Sequence, residues 1–355
     1  MRAVPRLLLA TSLFLSLPSI FTVLDACTTL CLRGGGRIVF GKNYDWIVED
    51  GLLLVNKRGV ARTSDHTPAT EAARWTSKHG SVTFNQYGRD LPSGGMNEAG
   101  LVIELMWAEG SKYPPPDARP ALGCLEWIQY QLDTARTVAE VIASDSRVRI
   151  SADVPLHYLV ADRDGVVATI EFIGGKLVAH SGASLPVPVL ANDLYSDALR
   201  MAEKTPTPPP DSRSSSRFAR AADRVRSYRP SDDPVAYVFD TLANVAQART
   251  QWSIVYEIDR SLVHFRTRGN PRTRTLSLAS LDFSCAAPVL ALDLASGDGD
   301  VRPLLAPYAR ARNLELIRSS FGQTEFLKAT PPAELERLAA RPDETRCLEA
   351  GADAR

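Results

Sequence analysis

Neither sign of charge predominates in this chain: across 355 residues, Lys plus Arg number 41 and Asp plus Glu 41. With no net field to draw a polyanion or an anionic bilayer, nucleic-acid binding and electrostatic membrane binding are both disfavoured. Aromatics are sparse at 7%, and charged residues stand at 23% against 45% apolar ones. That balance suits a folded domain with a substantial core and argues against intrinsic disorder. The five cysteines (27, 31, 124, 285 and 347) include no CxxC pair, and the five histidines (66, 79, 157, 180 and 264) are scattered singly. The close ligand spacing of a structural zinc site is therefore absent, and no metal or cofactor is called for. Gly34-Gly35-Gly36 lacks the lysine and the following helix of a phosphate loop. No internal repeat is evident, and after the first 26 residues no apolar run is long enough to cross a bilayer.

What is present begins with a leader. Arg2 and Arg6 precede LLLATSLFLSLPSIFTVL, an apolar stretch interrupted by Pro18 and too short for a membrane span, and Ala26 offers a small residue for cleavage. Residues 1–26 are read as a secretory signal, which predicts an exported protein, periplasmic or secreted. Cleavage would leave Cys27 as the first residue. In an oxidising compartment Cys31, Cys124, Cys285 and Cys347 are free to pair in combinations that spacing does not fix, which leaves Cys27 as the odd thiol.

Beyond Cys27, strand patterns dominate the first hundred residues. TLCLRGGGRIVFGKNYDW reads as two strands around a glycine turn, with Cys27 at the free start of the first. SVTFNQYG and LVIELMW read as further strands, with SGGMNEAG as a tight connection between them. Strands that follow one another without long helices favour antiparallel pairing. In residues 122–144 a stripe of Leu122, Leu125, Ile128, Leu132, Val138 and Val141 predicts helix laid on the sheet. LHYLVAD, VVATIEF, KLVAHS and VPVLAND read as strands, and TPTPPPDSRSSS (205–216) as a loop. Helical patterns return in RFARAADRVRSY and DPVAYVFDTLANVA, and strands in QWSIVYEID, SLVHFRTR and TLSLASLDF. The whole predicts a layered α+β catalytic domain over 27–330, followed by a helical tail over 331–355 that is dispensable to the chemistry.

A terminal cysteine carries its own base. An α-amine titrates near ~7.7–8.0 and a free thiol near ~8.5, so a modest depression of either places a base beside a nucleophile. Such a site needs a carboxylate to hold the amine, donors for an oxyanion and a cation for the developing charge. Asp45 in FGKNYDW, Asn192 ending VPVLAN and Arg217 opening RFARAADRV are candidates for these parts. Singly, each has a bland alternative: Asp45 as a cap, Asn192 as a turn former, Arg217 as one of many solvated arginines. Their joint occurrence behind a leader that ends at the cysteine favours the site. His157 is read as a packed histidine. Trp46, Trp107 and Trp127 are candidate pocket walls for which core packing is the default.

CTTLCLRGGGRIVFGKNYDW, SGGMNEAGLVIELMW, PLHYLVADRDG, VLAND, SRFARAA and TQWSIVYEIDRSLVHFRTRGN together resemble the choloylglycine hydrolase family, which contains bile salt hydrolases and penicillin V acylases and belongs to the N-terminal nucleophile hydrolases. The resemblance runs from Cys27 to about Asn270. It implies a four-layer αββα sandwich of two antiparallel sheets between helical layers. It also implies a small-molecule N-acyl amide substrate such as penicillin V, an N-acyl homoserine lactone or a bile-salt conjugate, no cofactor, and a homo-oligomer, commonly a tetramer. Cys27 would be nucleophile and base, Asp45 the amine anchor, Asn192 with a backbone N–H the oxyanion hole, and Arg217 the transition-state cation. Lys42, Trp46 and Met106 would stand at the substrate. Lys42 replaces the family's usual arginine and loses its bidentate fork. Met106 falls where the family usually has Asn or Tyr, which predicts a more apolar pocket.

Two other fates remain open to the sequence. Leu24-Asp25-Ala26-Cys27 has the outline of a lipoprotein signal, whose lipidation would block the thiol and cap the amine and leave a membrane-tethered protein. Alternatively, the Met106 position marks an inactive member that binds amides without turning them over.

Overall fold

The structure is a computed structural model that describes residues 27–65, 69–205 and 207–348; the leader of residues 1–26, His66 and the end of the tail lie outside the described residues. Strands β1 (Thr28–Gly34) and β2 (Arg37–Asp45) form the expected hairpin. Gly35 and Gly36 make its turn at φ +62 and +76, the left-handed pair that a tight two-residue connection demands and that side chains resist. The register pairs Thr28 with Asn43 and Gly34 with Arg37, so Cys27 arrives beside the end of β2 where Tyr44 and Asp45 stand.

This hairpin lies within a seven-stranded sheet. Val189–Leu190 flanks β1, while Thr250–Glu257 flanks β2 and is followed outward by Leu262–Thr267, Arg274–Ser277 and Gly299–Asp300. Its pairings are antiparallel except the last, where Arg274 runs parallel to Gly299. A nine-stranded antiparallel sheet faces it, with Val102–Trp107 near its centre between Leu156–Ala161 and Pro92–Asn97. Phe84 of the second sheet meets Tyr256 and Phe265 of the first edge to face at 6.3 and 5.5 Å, and these rings form the middle of the core.

Seven α-helices are described: α1 (Cys124–Thr134), α2 (Val138–Ala143), α3 (Tyr195–Glu203), α4 (Ser214–Ser227), α5 (Pro234–Asn244), α6 (Arg310–Gln323) and α7 (Pro332–Ala340). Helices α4 and α5 cover the outer face of the first sheet and α1 packs against the second. With two sheets face to face between helices, the architecture is the αββα sandwich. Gly41 of β2 is fixed by this layering, since a Cβ there would lie 2.4 Å from Val238 of α5.

Three expectations change. SGGMNEAG is not a connection: Pro92–Asn97 is a buried strand, and the turn is confined to the residues after it. Gly94 and Gly95 serve close approach instead, since a Cβ would lie 2.2 Å from the Glu104 carboxyl and 2.4 Å from the Val82 carbonyl. The loop predicted over 205–216 yields its last three residues to α4. The cysteines pair once among the described residues, Cys285 with Cys347, while Cys31 and Cys124 stay free and buried. That bond ties the tail to the domain, and Ala339 of α7 shares a small cluster with Ile317 and Phe321 of α6.

Candidate active site

Cys27 is 4% exposed and lines a cavity of about 230 Å³. Burial pushes its thiol up; the Lys42 ammonium opposes this by charge and by a hydrogen bond, and the Asp45 backbone N–H donates to the sulfur. A thiol held protonated is a weak nucleophile and needs a base beside it.

Asp45 ends β2 with its side chain fully buried. Its carboxylate accepts from Gln247 Nε2 at 2.8 Å and from the Thr250 hydroxyl. Thr250 faces Asp45 because the pairing of its strand with β2 shifts register between Thr250 and Trp252, an irregularity of the kind that re-aims side chains at sites. Burial raises the Asp45 carboxyl, against the hydrogen bond from Thr250 and the charge of Arg217.

Arg217 enters from the first turn of α4. Its Nη1 donates to the Cys27 carbonyl at 2.8 Å and to Thr28 Oγ1 at 2.6 Å, Nη2 to Asn192 Oδ1 at 2.7 Å, and Nε to the Ser212 carbonyl at 3.0 Å. All three guanidinium nitrogens donate, so the fork holds β1, the Asn192 side chain and the loop before α4 in one geometry. Burial lowers its pKa, which the charges of Asp45 and Cys27 counter. Because Arg217 occupies Oδ1, the Asn192 amide group must face the other way, and Nδ2 donates to the Trp107 carbonyl at 2.7 Å. One amide proton remains, the donor an oxyanion would take. His157 supports the same loop: its Nε2 lies 2.8 Å from the Ala191 carbonyl and Nδ1 3.2 Å from Glu171. It is a packed histidine, as expected.

The rest of the cavity is apolar. Trp46 and Trp107 stack with centroids 6.1 Å apart, and Phe326 leans on Trp107 at 6.3 Å. Leu105, Leu125, Val154 and Leu156 complete the wall with Phe321 and Leu327. The Trp46 indole donates to the Tyr87 hydroxyl at 2.7 Å, which in turn lies 3.0 Å from Thr324 Oγ1. Through that chain the segment after α6 is tied to the cavity.

The structure thus brings Cys27, Asp45, Asn192 and Arg217 together, with Lys42 and Trp46 beside them. It does not bring Met106. Side chains alternate along Val102–Trp107, so Leu105 and Trp107 reach the cavity while fully buried Met106 shares the face of Glu104 and of its cross-strand partner His157. The apolar character predicted for the pocket from Met106 comes instead from Trp107 and from Phe321, Phe326 and Leu327, which lie far along the chain. Trp107 was legible only as one tryptophan among three; Trp127 packs on Tyr158 at 4.5 Å. The C-terminal aromatics carried no local signal. Among the described residues no three His, Cys, Asp or Glu side chains are placed to hold a metal.

Comparison with known proteins bears on the family and the fold. Residues 27–195 match the linear amide C-N hydrolases, choloylglycine hydrolase family. A penicillin V acylase of Pectobacterium atrosepticum is 33% identical over 130 residues, which cover 32% of this chain and 35% of that protein. The chain therefore spans about a third of the length of this curated relative. The structure of a penicillin V acylase from Agrobacterium tumefaciens superposes with a TM-score of 0.71 and 28% identity, over 80% of this chain and 98% of that one. A variant of conjugated bile acid hydrolase from Clostridium perfringens, at 17% identity and a TM-score of 0.64 over 77% of this chain and 98% of that one, shares the fold. From Cys27 to Tyr195 the sequence is similar to the choloylglycine hydrolase family of linear amide C–N hydrolases, and the fold is that of the solved penicillin V acylase.

Proposed function

We propose that this protein is an exported N-acyl amide hydrolase that acts once its leader is removed and Cys27 becomes the first residue. The observation that carries the reading is Cys27 lining an apolar cavity, with the Asp45 backbone N–H directed to its sulfur and Arg217 bonded to both its carbonyl and Asn192. The family match that begins at residue 27 supports it.

In this reading the freed α-amine, held by Asp45, takes the thiol proton. The thiolate attacks the amide carbonyl, and the oxyanion is received by the spare Asn192 amide proton and a backbone N–H. Arg217 offsets the negative charge while fixing Asn192 and the Cys27 carbonyl. The ammonium then gives its proton to the departing amine, the C–N bond breaks and a thioester remains. Water, deprotonated by the same amine, hydrolyses it and releases the acid. The acyl group occupies the wall of Trp46, Trp107 and Phe326, which suits an aromatic or fatty acyl chain, so phenoxyacetyl amides and N-acyl homoserine lactones rank above bile-salt conjugates. The penicillin V acylases among its relatives and the Cys285–Cys347 disulfide, typical of oxidising compartments, favour the same picture. A homotetramer belongs to the reading and is checked by light scattering.

The rival lipoprotein reading would place a glyceride on a thiol that is 4% exposed and hydrogen-bonded within the polar cluster. The intact mass of the exported protein tests both. A chain that begins at unmodified Cys27, cleaves phenoxyacetyl or long-chain acyl amides and loses turnover on Cys27→Ser is expected. Acyl chains on Cys27, or glycocholate cleaved far faster than every lactone or penicillin, would overturn the proposal.

A further inference from the structure

Glu104 lies in the core between the sheets, directly beside the machinery described above yet without a part in it. Its side chain is 1% exposed and that of Lys42 is fully buried, with Nζ 3.9 Å from Oε2. Lys42 also donates to the Leu105 carbonyl and hydrogen-bonds the Cys27 sulfur. On its other side Glu104 accepts from the Tyr256 hydroxyl at 2.6 Å. Room for the carboxyl is built in: at Gly94 even a methyl group would strike it. The groups that face Glu104 are Lys42 and Tyr44 from β2, Tyr256 from Thr250–Glu257, the Gly94 backbone from Pro92–Asn97 and apolar Leu159 across from it on Leu156–Ala161. Tyr44 gives its proton to Gln86 at 2.8 Å.

One buried cation therefore stands between two acids. A thiolate at Cys27 and a carboxylate at Glu104 both draw on the single charge of Lys42, and in a low-dielectric core that charge cannot fully compensate two anions. We infer that Glu104 is a positioning residue that governs how much of the Lys42 charge reaches the Cys27 sulfur: ionised, it claims Lys42 as its own counter-ion, and protonated, it leaves Lys42 to the thiolate. Burial pushes the Glu104 carboxyl up to about 7, against Lys42 and the Tyr256 hydrogen bond, so the exchange falls in the neutral range where the enzyme would work. Above that range the ionised carboxyl holds Lys42, and the sulfur loses its proton at a higher pH than it would beside an uncommitted Lys42.

The inference rests on the reading of Cys27 as nucleophile, and the test separates the two. Protein processed to Cys27 is treated with iodoacetamide across a pH series, the sulfur–carbon bond forming as iodide leaves, and alkylation is read on the Cys27 peptide by mass, apart from Cys31 and Cys124. Glu104→Gln keeps the shape and removes the charge. Its alkylation midpoint is expected to fall by roughly one pH unit. Tyr256→Phe, which withdraws the donor that favours the carboxylate, is expected to shift in the same direction by less. Profiles that superimpose on the unaltered protein would overturn the inference, and Tyr256→Phe decides alone should Glu104→Gln fail to fold. Amide turnover is measured on the same samples: a shifted midpoint in a protein that cleaves no amide would sink the acylase reading while leaving the charge coupling in place.

Discussion

Cys27 and Cys124 line the same cavity, one at the start of β1 and one at the start of α1. Burial raises both thiols, that of Cys124 to about 12. The difference lies in their company. Cys124 receives backbone hydrogen bonds from the first turn of its helix and feels the opposing charge of Glu126. Cys27 has the Lys42 ammonium, the Asp45 N–H and, on its own carbonyl, Arg217. A buried thiol in a pocket is thus no nucleophile by itself; a cation, an anchored base and an oxyanion donor make it one.

The contrast breaks first on substitution of the two cysteines. Cys27→Ser is expected to cost at least about 10³-fold in turnover and Cys124→Ser no more than a few-fold; equal losses would end the distinction. Next is Asn192, the proposed oxyanion donor. Asn192→Ala should lower kcat by about 10²–10³-fold and leave KM nearly unchanged, because the spare amide proton is used only when charge develops. A rise in KM alone would assign Asn192 to ground-state binding. The apolar side responds in the opposite sense: Trp107→Ala or Phe326→Ala should raise KM for aromatic and long-chain acyl amides by about tenfold and spare a short acetyl amide.

The smallest effect is on stability. The folded protein raises Glu104 from 4.5 to about 7. The proton is therefore bound more tightly in the native state, and the associated stabilisation is complete below the unfolded value and lost as pH rises through 7. Glu104→Gln should flatten the fall in Tm between about pH 5 and 7 relative to the unaltered protein, as read by thermal melts in matched buffers. A parallel pair of curves would place the titration elsewhere, for instance at Asp133, which burial raises to about 6 in both proteins.

Much of the site was legible because it is local. The apolar stretch before Cys27 draws the eye to it, the hairpin brings Asp45 beside it, and Asn192 and Arg217 fall in recognisable segments. Met106, expected at the substrate, shows the limit: along a strand one residue exchanges the cavity for the core, and nothing in ELMW says which face is which. The glycines of SGGMN misled for a related reason. Glycine marks a turn and a close approach alike, and only the neighbouring strand, with its Glu104 carboxyl, distinguishes them.

By itself the sequence determined the layered α+β class, the strand and helix pattern and the candidate polar residues, since these follow from periodicity of two and 3.6 and from short motifs. Tertiary structure alone decided which cysteines pair, that Phe321, Phe326 and Leu327 wall the cavity more than two hundred residues from Trp46, and that Glu104 meets Lys42. Each of these is a contact between elements distant along the chain, and the side-chain partners of a packed core are set by the sheets' stacking, which no local pattern encodes.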